Sequence, residues 1–186
     1  GIAATFNAPI AGVVFALEII LGEFSVKYFS SVVVSAVTAS VIGRAVFGDI
    51  PAFVIPFEYG IHSLWEFAFY PLLGISAAVV GAFFVRFLYW SEDMFAKWKA
   101  APEWVQPAIG GMLLGIVALV YPSLTGVTWE HIPQIYNVGY DVIEATLANQ
   151  LTLKVVLVLL VLKMIATSLT IGSGGSGGVF APGLFM

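Results

Sequence analysis

An apolar run from Gln150 to Thr170 leads directly into IGSGGSGGVFAPGLFM, Ile171 to Met186, and this junction constrains the fold more than any other stretch. The run is long enough to cross the hydrocarbon of a bilayer as an α-helix. The segment after it carries six glycines between Gly172 and Gly183. Glycine weakens a helix and gives up apolar area, so its use here means that the backbone must turn, pack closely or approach a ligand. Irregular backbone at membrane depth is tolerated only inside protein or against a water-filled or ion-filled cavity. The sequence therefore predicts a span, a break and a new helix, with the backbone as the working surface.

The rest of the chain agrees with a membrane setting. Of 186 residues, 60% are hydrophobic and 10% charged, with a mean hydropathy of +1.02, whereas a soluble domain is about a quarter charged. An integral, multi-pass membrane protein in contact with lipid is expected. Seven basic and eleven acidic residues give a net charge of −4 without a basic run, which does not point to a nucleic-acid surface. The absence of cysteine excludes disulfides and thiolate metal sites. No basic segment precedes the first apolar stretch, no Met begins the chain, and both ends read as interiors of elements. The chain is thus read as an internal piece of a larger one.

In chain order, Asn7 reads equally as a helix cap or as part of a plain turn before Pro9, which suits a first helical turn. Ile10 to Leu21 is about 18 Å as a helix and too short to span alone, so with Gly1 to Asn7 it predicts a broken or tilted element. Glu18 is the one charge within it: either a proton or ion-pathway group, or an interfacial glutamate with local hydrogen bonds. Glu23 and Lys27 are spaced as an i,i+4 pair. Ser25 to Phe47 predicts a span whose small residues, Ser30, Ser31, Ser35, Ala36, Ser40 and Gly43, favour close helix contact, closed by Arg44 and Asp49. Ile50 to Trp65 reads as an interfacial connection, and its His62 as a surface residue without companion ligands.

Trp65 to Trp90 predicts a second span, followed by a polar interfacial stretch, SEDMFAKWKAAPE, among tryptophans; Lys97 and Lys99 favour the cytoplasmic side. Pro107 to Val120 is short, with Gly110, Gly111 and Gly115 favouring contact and Tyr121 and Pro122 ending it. Thr125 to Asn149 is the least hydrophobic region and contains a short amphipathic helix. Its Asp141 and Glu144 read as a hydrated face rather than a cation site. Lys163, inside the last span, either neutralises an anion pathway, or snorkels or pairs internally. The two short elements, Ile10 to Leu21 and Pro107 to Val120, each precede a longer one, a pattern found in transporters with internal repeats.

In the closing stretch, Gly172 to Gly178 supplies turns, and a helix is expected to begin between Val179 and Pro182. The first amides of a helix lack intrahelical acceptors and lie at the positive end of its dipole, which suits an anion. With no Lys or Arg in the motif, the anion would be held by partial charges and released easily. A phosphate loop is excluded by the missing GK[ST] end and by the preceding span. A cation filter of carbonyls and a purely structural packing turn stay open on the residues alone.

Gly178, Phe180 and Pro182, set in GSGGSGGVFAP, together with GIAATFNAPIAGVVFALE from Gly1 to Glu18, YPSLTG and KMIATSLTIGSGG, resemble the CLC family of voltage-gated chloride channels and proton/chloride exchangers. The resemblance covers essentially the whole chain. It implies an all-α membrane protein with the family's inverted-repeat fold of tilted, broken and re-entrant helices, present in part. Residues 1–90 would be the end of the first half and 103–186 the start of the second. It implies a homodimer with one pathway per subunit, chloride as the transported ligand with no cofactor or metal, and location in the cell membrane of a prokaryote.

Carried over by residue, the amides of Val179 and Phe180 would face the anion, with the motif of Gly178, Phe180 and Pro182 around it, and Glu18 would stand on a proton or ion pathway. The face from Ile10 to Gly43 resembles elements at the dimer contact. Ile19 occupies a position where many exchangers carry a proton-passing glutamate, which sets this chain apart from them. The family's GSGIP and GKEGP segments would precede Gly1, and its pore tyrosine would follow Met186. A non-transporting scaffold or receptor-like subunit with the same fold is the alternative. No HExxH or Ser/His/Asp constellation points to an enzyme.

Overall fold

The structure, a computed structural model, describes residues 1–49, 60, 63–98, 102–126 and 133–186. Most of the Ile50 to Trp65 connection, including His62, lies outside these residues, as do Lys99 and residues 127–132. Among the described residues all regular structure is helical. The chain divides into two compact units, residues 1–56 and 57–186.

In the N-terminal unit, α1 (Ile2–Thr5) and α2 (Pro9–Phe15) form a broken element that packs on α3 (Val26–Phe47). Asn7 makes the break. Its φ of +53° is left-handed, a conformation that asparagine tolerates better than most residues. The turn reading therefore holds, and the cap reading does not, because Ala8 precedes Pro9 at the helix start with no side-chain cap. Asn7 instead ties the unit together through its amide. Nδ2 donates to Asp49 Oδ1 at 2.6 Å, Arg44 Nε donates to Asn7 Oδ1 at 2.5 Å, and Arg44 pairs with Asp49 at 3.4 Å.

The small face of α3 lies against this broken element. Ala36 and Ser40 are buried, and a Cβ on Gly43 would sit 3.4 Å from that of Ala4; Ser30, Ser31 and Ser35 are exposed. Gly12 permits the close approach of α1 and α2, since a Cβ there would meet Ala3 at 2.7 Å. Ala3, Val13, Leu17 and Ala36 form the core of the unit. Beyond α2 the chain widens into a π-turn over Ala16–Ile20, with the Leu21 amide donating to Ala16 O at 3.0 Å. Glu23 and Lys27 do not pair. Ser25 is extended and α3 starts at Val26, so the two residues do not share a helix, and Lys27 Nζ lies 5.3 Å from the Tyr28 ring centre.

The C-terminal unit is built on α8 (Leu153–Gly172), which contacts α4 (Glu66–Lys97), α5 (Gln106–Thr125), α6 (Pro133–Tyr136) and α9 (Phe180–Phe185); α7 is Tyr140–Leu147. Of the most apolar 18-residue stretch of each helix, 44% is buried in α8 against 6% in α4. Lipid is as apolar as leucine, so helices in a bilayer associate through close packing of small residues more than through apolar burial. The contacts of α8 follow that rule. A Cβ on Gly172 would collide with Ser91 Oγ, one on Gly110 would collide with Ser173 Oγ, and Ser91 Oγ donates to Ser168 O at 2.9 Å. Tyr121, Leu159, Leu162 and Ala166 continue the contact as an apolar core.

Two boundaries differ from the sequence expectation. α4 continues past Trp90 through SEDMFAK, because Ser91 and Phe95 are buried and Asp93 pairs with Lys97 at 3.7 Å. α5 runs through Tyr121 and Pro122 and stops at Gly126, whose φ of +73° gives a left-handed cap. Proline removes one hydrogen bond without obliging a helix to end, and Tyr121 is fully buried against α8. At 20 residues α5 is a span, not a short interrupted element. Gly111 and Gly115 face no described neighbour within 4 Å, so of the three glycines only Gly110 makes a helix contact. Among the described residues, four helices are long and apolar enough to cross a membrane: α3, α4, α5 and α8. The chain is an integral, multi-pass membrane protein.

Candidate functional site

The glycine stretch opens with a helix stop built from hydrogen bonds. The amide of Gly174 donates to Ile171 O and that of Gly175 to Thr170 O, both at 2.9 Å, and Gly174 has a φ of +81°. This is a Schellman motif, in which a left-handed residue lets two amides satisfy the last carbonyls of a helix. A Cβ on Gly175 would stand 2.7 Å from Thr170 O, so the backbone folds back onto α8 in a way that only glycine permits. Ser173 is buried, and its Oγ donates to Thr170 O at 3.2 Å. The packing-turn reading is thus correct for Gly172 to Gly175.

The second half of the stretch has a different character. α9 begins at Phe180, within the expected range, with Pro182 in its first turn and the Gly183 amide donating to Val179 O at 2.9 Å. Val179 and Phe180 are 48% and 44% exposed. Their neighbours Gly178, Ala181 and Pro182 wall a cavity of about 370 Å³, together with Gly177 and residues of α8 and of the 135–138 segment. Gly178 has open space where a side chain would project. On its other side, the turn at Gly172 to Gly174 borders a second cavity, of about 620 Å³, with Glu92, Glu103 and Gln106.

Lys163 lines the first cavity. It is 4% exposed. Its Nζ donates to Ile135 O at 3.1 Å and to Asn137 O, and lies 5.2 Å from the centre of the Phe185 ring. The ammonium is thus paired internally, with carbonyls as its partners. Thr170 and Tyr136 lie along the same cavity; Thr170 Oγ1 donates to Ala166 O at 2.8 Å and Tyr136 Oη donates to Leu114 O at 3.2 Å. Burial raises the Tyr136 pKa above its ordinary value. No Asp or Glu is among the described residues that line this cavity.

Sequence reasoning found no cation in the glycine motif, and the fold brings one to it. The signal was a lone lysine within a span. What the sequence lacked was the register that sets Lys163 and Gly178 around one space. Glu18 belongs to the N-terminal unit, where it is exposed on the π-turn. Asp141 is exposed on α7, as the hydrated-face reading expects. No group of three or more His, Asp or Glu is positioned for a metal ion among the described residues.

The voltage gated chloride channel family profile matches residues 1–186. Among curated relatives, the voltage-gated ClC-type chloride channel ClcB of Citrobacter koseri is 30% identical over 187 residues, covering 100% of this chain and 42% of the relative. The H(+)/Cl(-) exchange transporter ClcA of Vibrio cholerae is 32% identical over 187 residues, covering 98% and 37%. Chloride channel protein CLC-f of Arabidopsis thaliana is 32% identical over 194 residues, covering 100% and 24%. The chain thus spans less than half the length of these relatives. No solved structure matches it significantly. An all-helical chain with four membrane-length helices, a glycine-walled cavity at the end of α8 and a family match from its first residue to its last belongs to the voltage gated chloride channel family.

Proposed function

We propose that the chain is part of an anion pathway that carries chloride across a membrane. The observation that carries this reading is the cavity at the end of α8, lined by Gly177, Gly178 and Pro182 and by the buried Lys163. In this reading the amides of Val179 and Phe180 face the anion and the Phe180 ring borders its path; the support is that their neighbours Gly178 and Ala181 line the cavity. Amides and one cation give a site that favours negative charge without enclosing it, which suits transport more than storage. Chloride is the transported ligand, and no cofactor is invoked.

Within this reading, residues 1–90 close the first of two inverted halves and residues 103–186 open the second. The complete protein is a homodimer with one pathway per subunit. The apolar residues exposed along α2 and α3, such as Ile10, Val14, Val37 and Val41, support a subunit or lipid contact there. Bacterial relatives support a prokaryotic cell membrane. Those relatives include both a channel and an exchange transporter by name, so the complete protein is either a passive or a proton-coupled carrier of chloride. Glu18, on a π-turn of the kind often found at functional sites, is the candidate for a proton or ion path.

Chloride efflux from liposomes that hold the complete purified protein tests the reading. Chloride-selective flux is expected, and Phe180→Ala is expected to change its rate by about tenfold while the protein stays folded. Cation-selective flux, or none, contradicts it and favours a non-transporting scaffold. Uphill proton movement driven by a chloride gradient identifies an exchanger; its absence identifies a channel.

A further inference from the structure

Lys163 is a full positive charge held inside the protein with carbonyls for partners and no carboxylate among the described residues around its cavity. Carbonyl oxygens satisfy the donors of an ammonium, but as dipoles they leave its net charge in place. A buried charge is costly unless an opposite charge reaches it, and the low local dielectric that makes it costly also extends its field. The cavity it lines is also lined by Gly177, Gly178 and Pro182. The ammonium is also fixed, by Ile135 and Asn137 of the 135–138 segment and by the Phe185 ring of α9. It therefore cannot swing out to solvent as a surface lysine does.

We infer that Lys163 is the fixed charge of the anion cavity, and that the anion bound there is its counter-ion. This rests on the reading of the cavity as an anion site and adds the residue that sets its affinity. The backbone amides shape the site and keep it open, whereas Lys163 provides the long-range attraction. Its clamp on the Ile135 and Asn137 carbonyls holds the charge in the wall of the cavity that the glycines also line, so it acts by positioning a field and not by direct coordination.

Chloride titration calorimetry on the complete protein separates the possibilities. Lys163→Met and Lys163→Gln are expected to weaken chloride binding by at least about tenfold, and Lys163→Arg to stay within about threefold of native. The glutamine variant keeps an N–H donor for the Ile135 carbonyl, so its loss of affinity reports charge and not a lost wall. Equal affinity in native and both neutral variants overturns the inference while leaving the anion site standing. No chloride binding by native protein overturns both. Should neither neutral variant fold, bromide anomalous density in native crystals decides. A peak inside the cavity within roughly 8 Å of Lys163 Nζ supports the inference, since a unit charge still acts appreciably over that distance. A peak at the 178–182 backbone but outside the cavity overturns it.

Discussion

Glycines that look alike along this chain do different work, and a Cβ placed on each one separates them. Gly172 and Gly110 seat α8 against its neighbours, whereas Gly111 and Gly115 face open space among the described residues. Gly172→Ala would press a methyl group against Ser91 Oγ and its backbone carbon. It is expected to destabilise the complete protein in detergent by about 1–3 kcal/mol, the usual range for overpacking. Gly115→Ala is expected to be neutral or slightly stabilising, because it removes glycine from a helix interior without a clash. Thermal unfolding of the two variants beside native protein checks the contrast. The composition of PAIGGMLLG announced helix contact but could not say which glycine makes it, since that depends on the rotation of α5 about its axis. The same limit applied to Lys163, visible as a costly charge in a span but without an assigned neighbour. Asn7 was open between cap and turn, and both the turn and its ties to Arg44 and Asp49 required the fold.

At the scale of elements, hydropathy located α3, α4 and α8 as spans, took α5 for a short element, and misjudged the ends of α4 and α5. Trp90 and the charges after it suggested an interface, yet the face of α4 that bears Ser91 and Phe95 stays packed while Glu92 and Asp93 point outward. Periodicity within a polar stretch was the missed signal, because the charges of Glu92, Asp93 and Lys97 all lie off the buried stripe. In α5 the Tyr-Pro pair suggested a stop. Packing of Tyr121 into the core with Ile135, Val142 and Leu162 outweighed the single bond that Pro122 gives up. Tyr121→Ala is therefore expected to cost about 3–5 kcal/mol, typical of deleting a buried aromatic. The loss should appear as a lower midpoint in thermal unfolding of the complete protein. A change below about 1 kcal/mol would mean that the end of α5 is held by something other than this ring.

For the whole molecule, family membership was legible because the distinguishing residues are short backbone motifs whose chemistry is local: glycines, a phenylalanine and a proline at the start of a helix. The division into units of residues 1–56 and 57–186 was not legible, since it reflects which helices contact one another. The proposed function rests on the C-terminal unit, where a span stops in a Schellman turn, a new helix starts and the buried Lys163 lines a cavity with Gly177, Gly178 and Pro182. The central claim is that this backbone wall holds an anion. Anomalous diffraction from crystals of the complete protein grown in bromide tests it most directly. A bromide peak against the 178–182 backbone is the expected result, and an occupied anion site elsewhere with none at this wall would contradict the account.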